Sequence, residues 1–225
     1  GADTGEISAQ TVSEGTNVLQ VQDPEKLDYD FVGWNTKLDG TGTTWDFATN
    51  VMPGNDLILY AQWTPTIYDA VFDINGGDSI FIPVQSMAVG EFIQEPTQKP
   101  TLQGSGFLGW SLAPFDRAIV TFGEDMPMPS GGIRLYAQYN TLYYYLSYDA
   151  NGGIGTQLPR ELTFNSFIAK PDVPPTREGY TYDAKNYCRD AECTIIKAWR
   201  SERMPDADVT VYAKWTINNY NLNFN

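Results

Sequence analysis

The feature that most restricts what this chain can fold into is a period of 76 residues. Leu57-Ile58-Leu59-Tyr60-Ala61-Gln62-Trp63 returns as Ile133-Arg134-Leu135-Tyr136-Ala137-Gln138-Tyr139 and again as Val209-Thr210-Val211-Tyr212-Ala213-Lys214-Trp215. A second stretch, Tyr68-Asp69-Ala70-Val71-Phe72-Asp73, recurs as Tyr144-Tyr145-Leu146-Ser147-Tyr148-Asp149 and as Tyr220-Asn221-Leu222-Asn223-Phe224-Asn225. Gly33-Trp34 and Gly109-Trp110 keep the same spacing, as do Pro53, Pro129 and Pro205. Repetition at this length means one small folding unit used several times, so the 225 residues divide into three copies rather than one large domain.

The repeated stretches predict β structure. Leu57, Leu59, Ala61 and Trp63 alternate with more polar neighbours, and so do Tyr68, Ala70 and Phe72, which is the two-residue period of a half-buried strand. Asn75-Gly76 and Asn151-Gly152 then predict tight hairpin turns, because both residue types tolerate positive φ. Prolines crowd the intervening segments, as in Pro96 to Pro100 and Pro171 to Pro175, and forbid a long helix there. At most one short helix per module fits. All six tryptophans sit at repeat positions or just before a last strand. In a module with little interior they are expected to form the core rather than line a ligand groove.

Composition narrows the chemistry. The 28 acidic residues outnumber 14 basic ones, giving a net charge of −14 that repels nucleic acid and anionic membrane surfaces. Histidine is absent, which removes Ser-His and Cys-His catalysis and His-based zinc sites. No apolar run is long enough for a membrane span, and the first residues carry no signal-peptide pattern. The expectation is a fragment whose targeting segments lie elsewhere, needing no cofactor and having no catalytic or metal residues.

Phe72-Asp73-Ile74-Asn75-Gly76-Gly77, a Pro-Thr turn, Gly33-Trp34, Trp45-Asp46-Phe47 and Leu59-Tyr60-Ala61-Gln62-Trp63 together resemble the Listeria–Bacteroides repeat family, which includes the B repeat of internalin B. The resemblance covers nearly the whole chain. It implies an α+β but predominantly β fold, a tandem array of small β-grasp (ubiquitin-like) modules, on a secreted, cell-wall-attached virulence protein of the internalin or adhesin type. The third copy departs from the pattern, with Asp183-Ala184-Lys185-Asn186-Tyr187 where Gly-Trp is expected.

Cys188 and Cys193 are the only cysteines. In an exported chain a local disulfide between them is the expectation, with two free thiols as the alternative; their spacing is not that of a Cys-x-x-Cys redox pair. Asp28 with Asp30, and Asp206 with Asp208, could offer oxygen ligands to calcium, yet neither pair follows an alternating ligand loop, so solvated acidic loops are the simpler reading. Asp73 and Asp149, beside turns, are expected to make local hydrogen bonds.

The expected modules are residues 1–64 (lacking a first strand), 65–140 and 141–216, followed by 217–225 as the first strand of a further repeat. Thr64 to Ile67 and Asn140 to Tyr143 are too short to be flexible tethers. A module of this length is about 30 Å across, so three in line would span on the order of 90 Å. The function expected is a stiff extracellular stalk and adhesive module in host attachment; the alternative is a glycan-binding module using exposed aromatics. Partners would be a host-cell surface protein or glycan, with head-to-tail self-association through residues 217–225.

Overall fold

The computed structural model describes residues 7–155 and 157–224; Asn225, the last residue of the expected extra strand, lies outside them. Contacts group the chain into two compact units, one of Gly1–Asp73, Ile82–Thr97 and Val120–Leu135, the other of Ile74–Phe81, Gln98–Ile119 and Tyr136–Asn225. The first unit holds β1 (Tyr29–Asn35), β2 (Thr44–Trp45), β3 (Tyr60–Pro65), β4 (Ile67–Asp73) and β5 (Gln85–Ala88). Next comes β6 (Ser105–Ser111), in the second unit, and β7 (Ile133–Thr141), which begins in the first unit and ends in the second. The remainder of the second unit is β8 (Tyr143–Asp149), β9 (Arg160–Thr163), β10 (Tyr180–Cys188), β11 (Ile196–Ala198) and β12 (Val209–Ile217).

These strands form sheets of order β2-β1-β3, β5-β4-β7-β6 and β11-β10-β12-β8-β9. In the five-stranded sheet β8 runs parallel to β12, with Leu146 opposite Val209 and Tyr148 opposite Val211, while the other pairings are antiparallel. Leu146, Ile168, Tyr187, Met204, Val209 and Val211 make the core beneath that sheet, each 5% exposed or less.

The α part of the expected α+β class is a correction. Among the described residues there is no α-helix, only a 3-10 turn at Gly123–Asp125. The reason lies in where the backbone hydrogen bonds of the crossover segments go. In the stretch after β5, Ile93 N–H donates to Met126 O at 2.9 Å and Glu91 O accepts from Met128 N–H at 2.8 Å. After β9, Ile168 N–H donates to Glu202 O at 3.2 Å and Ser166 O accepts from Met204 N–H at 2.7 Å. Backbone groups committed to a neighbouring segment cannot close helical turns, and the prolines remove further donors. Ile93 and Ile168 are fully buried, so the crossovers still cover the core.

The Asn-Gly turns are also corrected. Asn75 and Asn151 both adopt φ 48°, and Gly76 and Gly152 follow at 84° and 80°, so tight turns do form. They do not close two-residue hairpins, because β4 pairs with β5 only from Gln85 onward. The turns instead lock onto the last strand of the repeat. Asn75 Nδ2 donates to Ala137 O at 2.9 Å, and Asn151 Nδ2 to Ala213 O at 3.2 Å. Tyr139 Oη donates to Ile74 O at 2.8 Å, while Trp215 Nε1 donates to Ala150 O at 3.0 Å. The second glycine of each motif makes room for the ring. A Cβ on Gly77 would strike Tyr139 Oη, and one on Gly153 would strike the Trp215 indole and come within 2.8 Å of Thr176 O.

Gly33 and Gly109 have a different purpose. Each lies at a β-bulge, between Phe31 and Gly33 and between Phe107 and Gly109, and the extra residue re-aims the following tryptophan. Trp110 is fully buried and Trp45 nearly so, at 9% exposure; Trp34, Trp63, Trp199 and Trp215 are partly buried. Phe107 meets Trp110 edge-on at 5.7 Å and Phe31 meets Trp34 at 5.6 Å. In the third repeat the bulge widens to span Tyr182 to Tyr187. Tyr187 takes the buried place, stacked on Trp199 at 4.5 Å.

Gly153→Ala is expected to lower the unfolding free energy of the second unit by about 1–3 kcal/mol in urea titrations, as overpacking does. An unchanged midpoint would mean that the ring and the turn do not pack this closely.

Candidate functional surfaces

Nothing in the described residues gathers three or more His, Cys, Asp or Glu side chains into a metal-holding group. Asp28, Asp206 and Asp208 are used internally, while Asp30 is exposed on β1. Asp28 Oδ1 accepts from Tyr68 Oη at 3.1 Å. Asp206 accepts from Tyr144 Oη and, at 3.3 Å, from Gly104 N–H; Asp208 accepts from Tyr145 N–H at 2.8 Å. The Asp206 hydrogen bond pushes the Tyr144 phenol up to about 12. Asp149 accepts from Asn151 N–H at 2.7 Å and Asp73 meets Arg134 at 3.3 Å.

Those tyrosines stand where one repeat hands over to the next, and the backbone there is pinned in the same way each time. Thr66 N–H donates to Asp28 O, Leu142 N–H to Gly104 O, and Asn218 N–H to Gly179 O, all at 2.9 Å. The acceptor is always in the turn just before the strand that pairs with the departing one, β1, β6 or β10. A single residue separates β3 from β4, and another separates β7 from β8. At the second handover Gly104 is also wedged against Phe164, where a Cβ would find no space.

The cysteines lie at the end of β10. Cys188 is fully buried, and its Cα lies 4.9 Å from that of Cys193, within the reach of a disulfide. Asp190 organises the loop between them. Its carboxylate accepts from Thr194 N–H at 2.6 Å, Thr194 Oγ1 at 2.8 Å and Ile195 N–H at 2.9 Å, and these bonds hold it below the usual carboxylate range. Beside it Tyr187 Oη donates to Glu202 at 2.7 Å, and Lys197 approaches Glu202 at 3.2 Å. Burial opposes the charge on Glu202, but the tyrosine and lysine outweigh it and hold the carboxyl low.

Asp183, in the widened bulge, was not singled out by sequence. Burial works against its charge, yet Lys214 Nζ at 2.8 Å, the Asn186 amide and two backbone N–H groups hold it well below the ordinary range. A signal was present in the replacement of Gln by Lys214 in the last strand of the same repeat whose bulge gains an Asp.

Exposed aromatic rings are spread along the described residues, with Phe81 and Phe115 at 80% and 95% exposure. Phe167 is covered by the Arg203 guanidinium at 3.9 Å, and Tyr29 by Lys26 at 3.5 Å. Tyr143 and Tyr145 are the exception, two residues apart on β8 and 62% and 47% exposed, with Tyr145 Oη donating to Glu161 at 2.8 Å.

Comparison with known proteins accounts for the recurrence. The Listeria–Bacteroides repeat domain matches three times, over residues 2–62, 68–138 and 144–214. The chain belongs to this family. A protein of Evansella cellulosilytica whose name casts it as a Gly-rich membrane protein is 32% identical over 99% of the chain, and a second one named as a membrane protein is 29% identical over 97%. Internalin H of Listeria monocytogenes is 37% identical over 60% of the chain. The chain spans 26%, 33% and 23% of these relatives' own lengths. It is therefore similar to repeat-bearing portions of larger membrane-associated and internalin-type proteins. No helix among the described residues is long and apolar enough to cross a membrane.

The Cys188–Cys193 bond is tested by intact mass with and without reductant, where a gain of two hydrogens on reduction is expected. Ready alkylation of both thiols in the untreated protein would contradict it.

Proposed function

We propose that this chain is the extracellular repeat region of a bacterial cell-wall surface protein, acting as a stiff stalk and adhesive module in host attachment. The observation that carries this reading is the pinned handover, in which Thr66, Leu142 and Asn218 each donate the backbone N–H to a turn of the repeat they leave. A residue held this way cannot act as a swivel, and a string of such joints transmits position rather than absorbing it. The modules on this reading meet near residues 64 and 140. The net charge of −14 suits a soluble surface that avoids sticking to anionic envelopes. The internalin relation favours export to the cell surface.

Each repeat is read as a β-grasp module in which a Pro-rich crossover stands in place of a helix. The order β11-β10-β12-β8-β9, with its parallel central pair, supports that reading. The second reading, a glycan-binding module, is favoured by one observation: Tyr143 and Tyr145 form a pair of exposed rings on one strand face. Retention on a glycan array that disappears in Tyr143→Ala with Tyr145→Ala would favour it over the stalk.

Small-angle scattering of the chain should give an elongated particle with a longest dimension on the order of 90 Å. A profile fitted by a compact sphere would contradict the stalk.

A further inference from the structure

Charge is distributed unevenly along the chain. Residues 1–140 carry 5 basic against 18 acidic side chains, whereas residues 141–225 carry 9 against 10. The excess of negative charge thus belongs to the first two repeats, and the third is free to present a local cationic surface. It does so around one ring. Arg203 holds its guanidinium 3.9 Å from the centre of Phe167, and Arg200 brings a second guanidinium to 5.6 Å from the same ring. Both arginines are exposed, and among the described residues neither forms an ion pair with a carboxylate. Arg203 Nη1 donates to Asn165 O at 2.8 Å. Like charges gathered at one place repel, and folding by itself gives no reason to gather them.

Each repeat builds this place on the same backbone frame. In the third, Asn165 N–H donates to Met204 O at 2.8 Å and Met204 N–H to Ser166 O at 2.7 Å. Gly90, Met128 and Glu91 repeat the pattern in the second, as do Gly15, Met52 and Thr16 in the first. Phe167 opposite Arg203 therefore corresponds to Phe92 opposite Pro127 and to Asn17 opposite Val51. Arg200 corresponds to Gly123, because each donates its N–H to the buried isoleucine of its crossover, Ile168 O at 2.9 Å and Ile93 O at 3.1 Å. Both have left-handed backbone, φ 65° for Arg200 and 80° for Gly123. Glycine adopts that region freely, whereas arginine does so under strain. The second repeat keeps an exposed ring in Phe92 but follows Gly123 with Glu124 and Asp125. Backbone strain accepted together with uncompensated positive charge, on a frame that two other repeats build without either, points to a use outside the fold.

We infer that Phe167, Arg200 and Arg203 form a binding site for an anionic polysaccharide whose sugars carry tetrahedral oxyanions, as sulfate or phosphate esters. A guanidinium presents a planar fork of N–H donors that meets such an oxyanion through two bonds. The shared ring holds both forks in place before the ligand arrives, so less freedom is lost on binding. The part of Phe167 left exposed, 43%, offers an apolar surface beside the charges. Two exposed guanidiniums hold a lone small anion only weakly, while a polymer that repeats the group rebinds at high effective concentration. Nucleic acid, with its dense and regular charge, meets the repulsion of the 18 acids in residues 1–140. The inference depends neither on the stalk reading nor on Tyr143 and Tyr145.

The test measures binding of the 225-residue chain to dextran sulfate and to phosphorylated dextran at low salt, with neutral dextran as the reference. At least one charged dextran should bind and the neutral one should not; the tighter of the two charged polymers identifies the oxyanion. Arg200→Gly removes the charge and relieves the backbone, so the thermal midpoint should hold or rise while affinity falls roughly tenfold or more. Arg203→Ala should weaken binding by a similar factor. Arg117→Ala, which removes an exposed charge of the second repeat, should change it by less than about twofold. Failure of both charged dextrans to bind overturns the inference, and so does neutral dextran binding as tightly as they do. A loss in Arg117→Ala equal to that in Arg200→Gly would make the attraction one of overall charge and would also overturn it. Single-stranded DNA bound as tightly as the charged dextrans would do the same.

Discussion

The arrangement on which the rest depends is the parallel pairing of a repeat's first strand with its last. In the third repeat this is β8 against β12. A chain that starts and ends a sheet on parallel neighbours enters the module at one end and leaves at the other. Everything between must then be a crossover, since a parallel pair cannot be joined by a tight turn. The consequence at the handover is economy of chain: one residue, Thr66 or Leu142, separates the last strand of one repeat from the first strand of the next. Antiparallel first and last strands would have returned the chain to its starting end and required a long connection before another module could begin.

Holding such a sheet together without a helix requires other anchors, and the repeat motif supplies them in a small number of residues. The Asn amide ties the turn after the first strand to a carbonyl of the last strand, and the aromatic ring of the last strand closes over the same turn. Tyr139 and Trp215 are different residues performing one task, each with a ring-borne donor reaching the turn carbonyl, and in both cases a glycine stands where a side chain would collide. The bulge glycines then turn a tryptophan inward. The third repeat reaches the same end by another route, with Tyr187 in the buried place and the extra bulge residues fixed by Asp183 and Lys214.

Strand positions and the buried place of Trp110 were legible in the sequence because alternation and periodicity report directly on burial. The family followed from ordered motifs, and three domain matches agree with it. Three things were not legible. The prolines already excluded a long helix, but that no short α-helix forms in the described crossovers depends on tertiary hydrogen bonds made by Ile93, Ile168 and their neighbours. The Asn-Gly pairs read as two-residue hairpins, since the local signal is the same whether the chain turns straight back or runs on for several residues before pairing. The structural use of Asp28, Asp206 and Asp208 was hidden because their partners are distant in sequence: Tyr68 is forty residues from Asp28, and Tyr144 sixty-two from Asp206.

Each linker is part of the folded repeat and not a tether between folded parts, since its backbone N–H is bonded to the repeat it leaves. Native-state hydrogen exchange of the Thr66 and Leu142 amides tests this most directly, because a bonded N–H exchanges only when its bond opens. Both should be protected to an extent comparable with neighbouring strand amides such as Tyr68 and Tyr144. Exchange of Thr66 and Leu142 at the rate of an unstructured peptide, with the strands around them still protected, would contradict it.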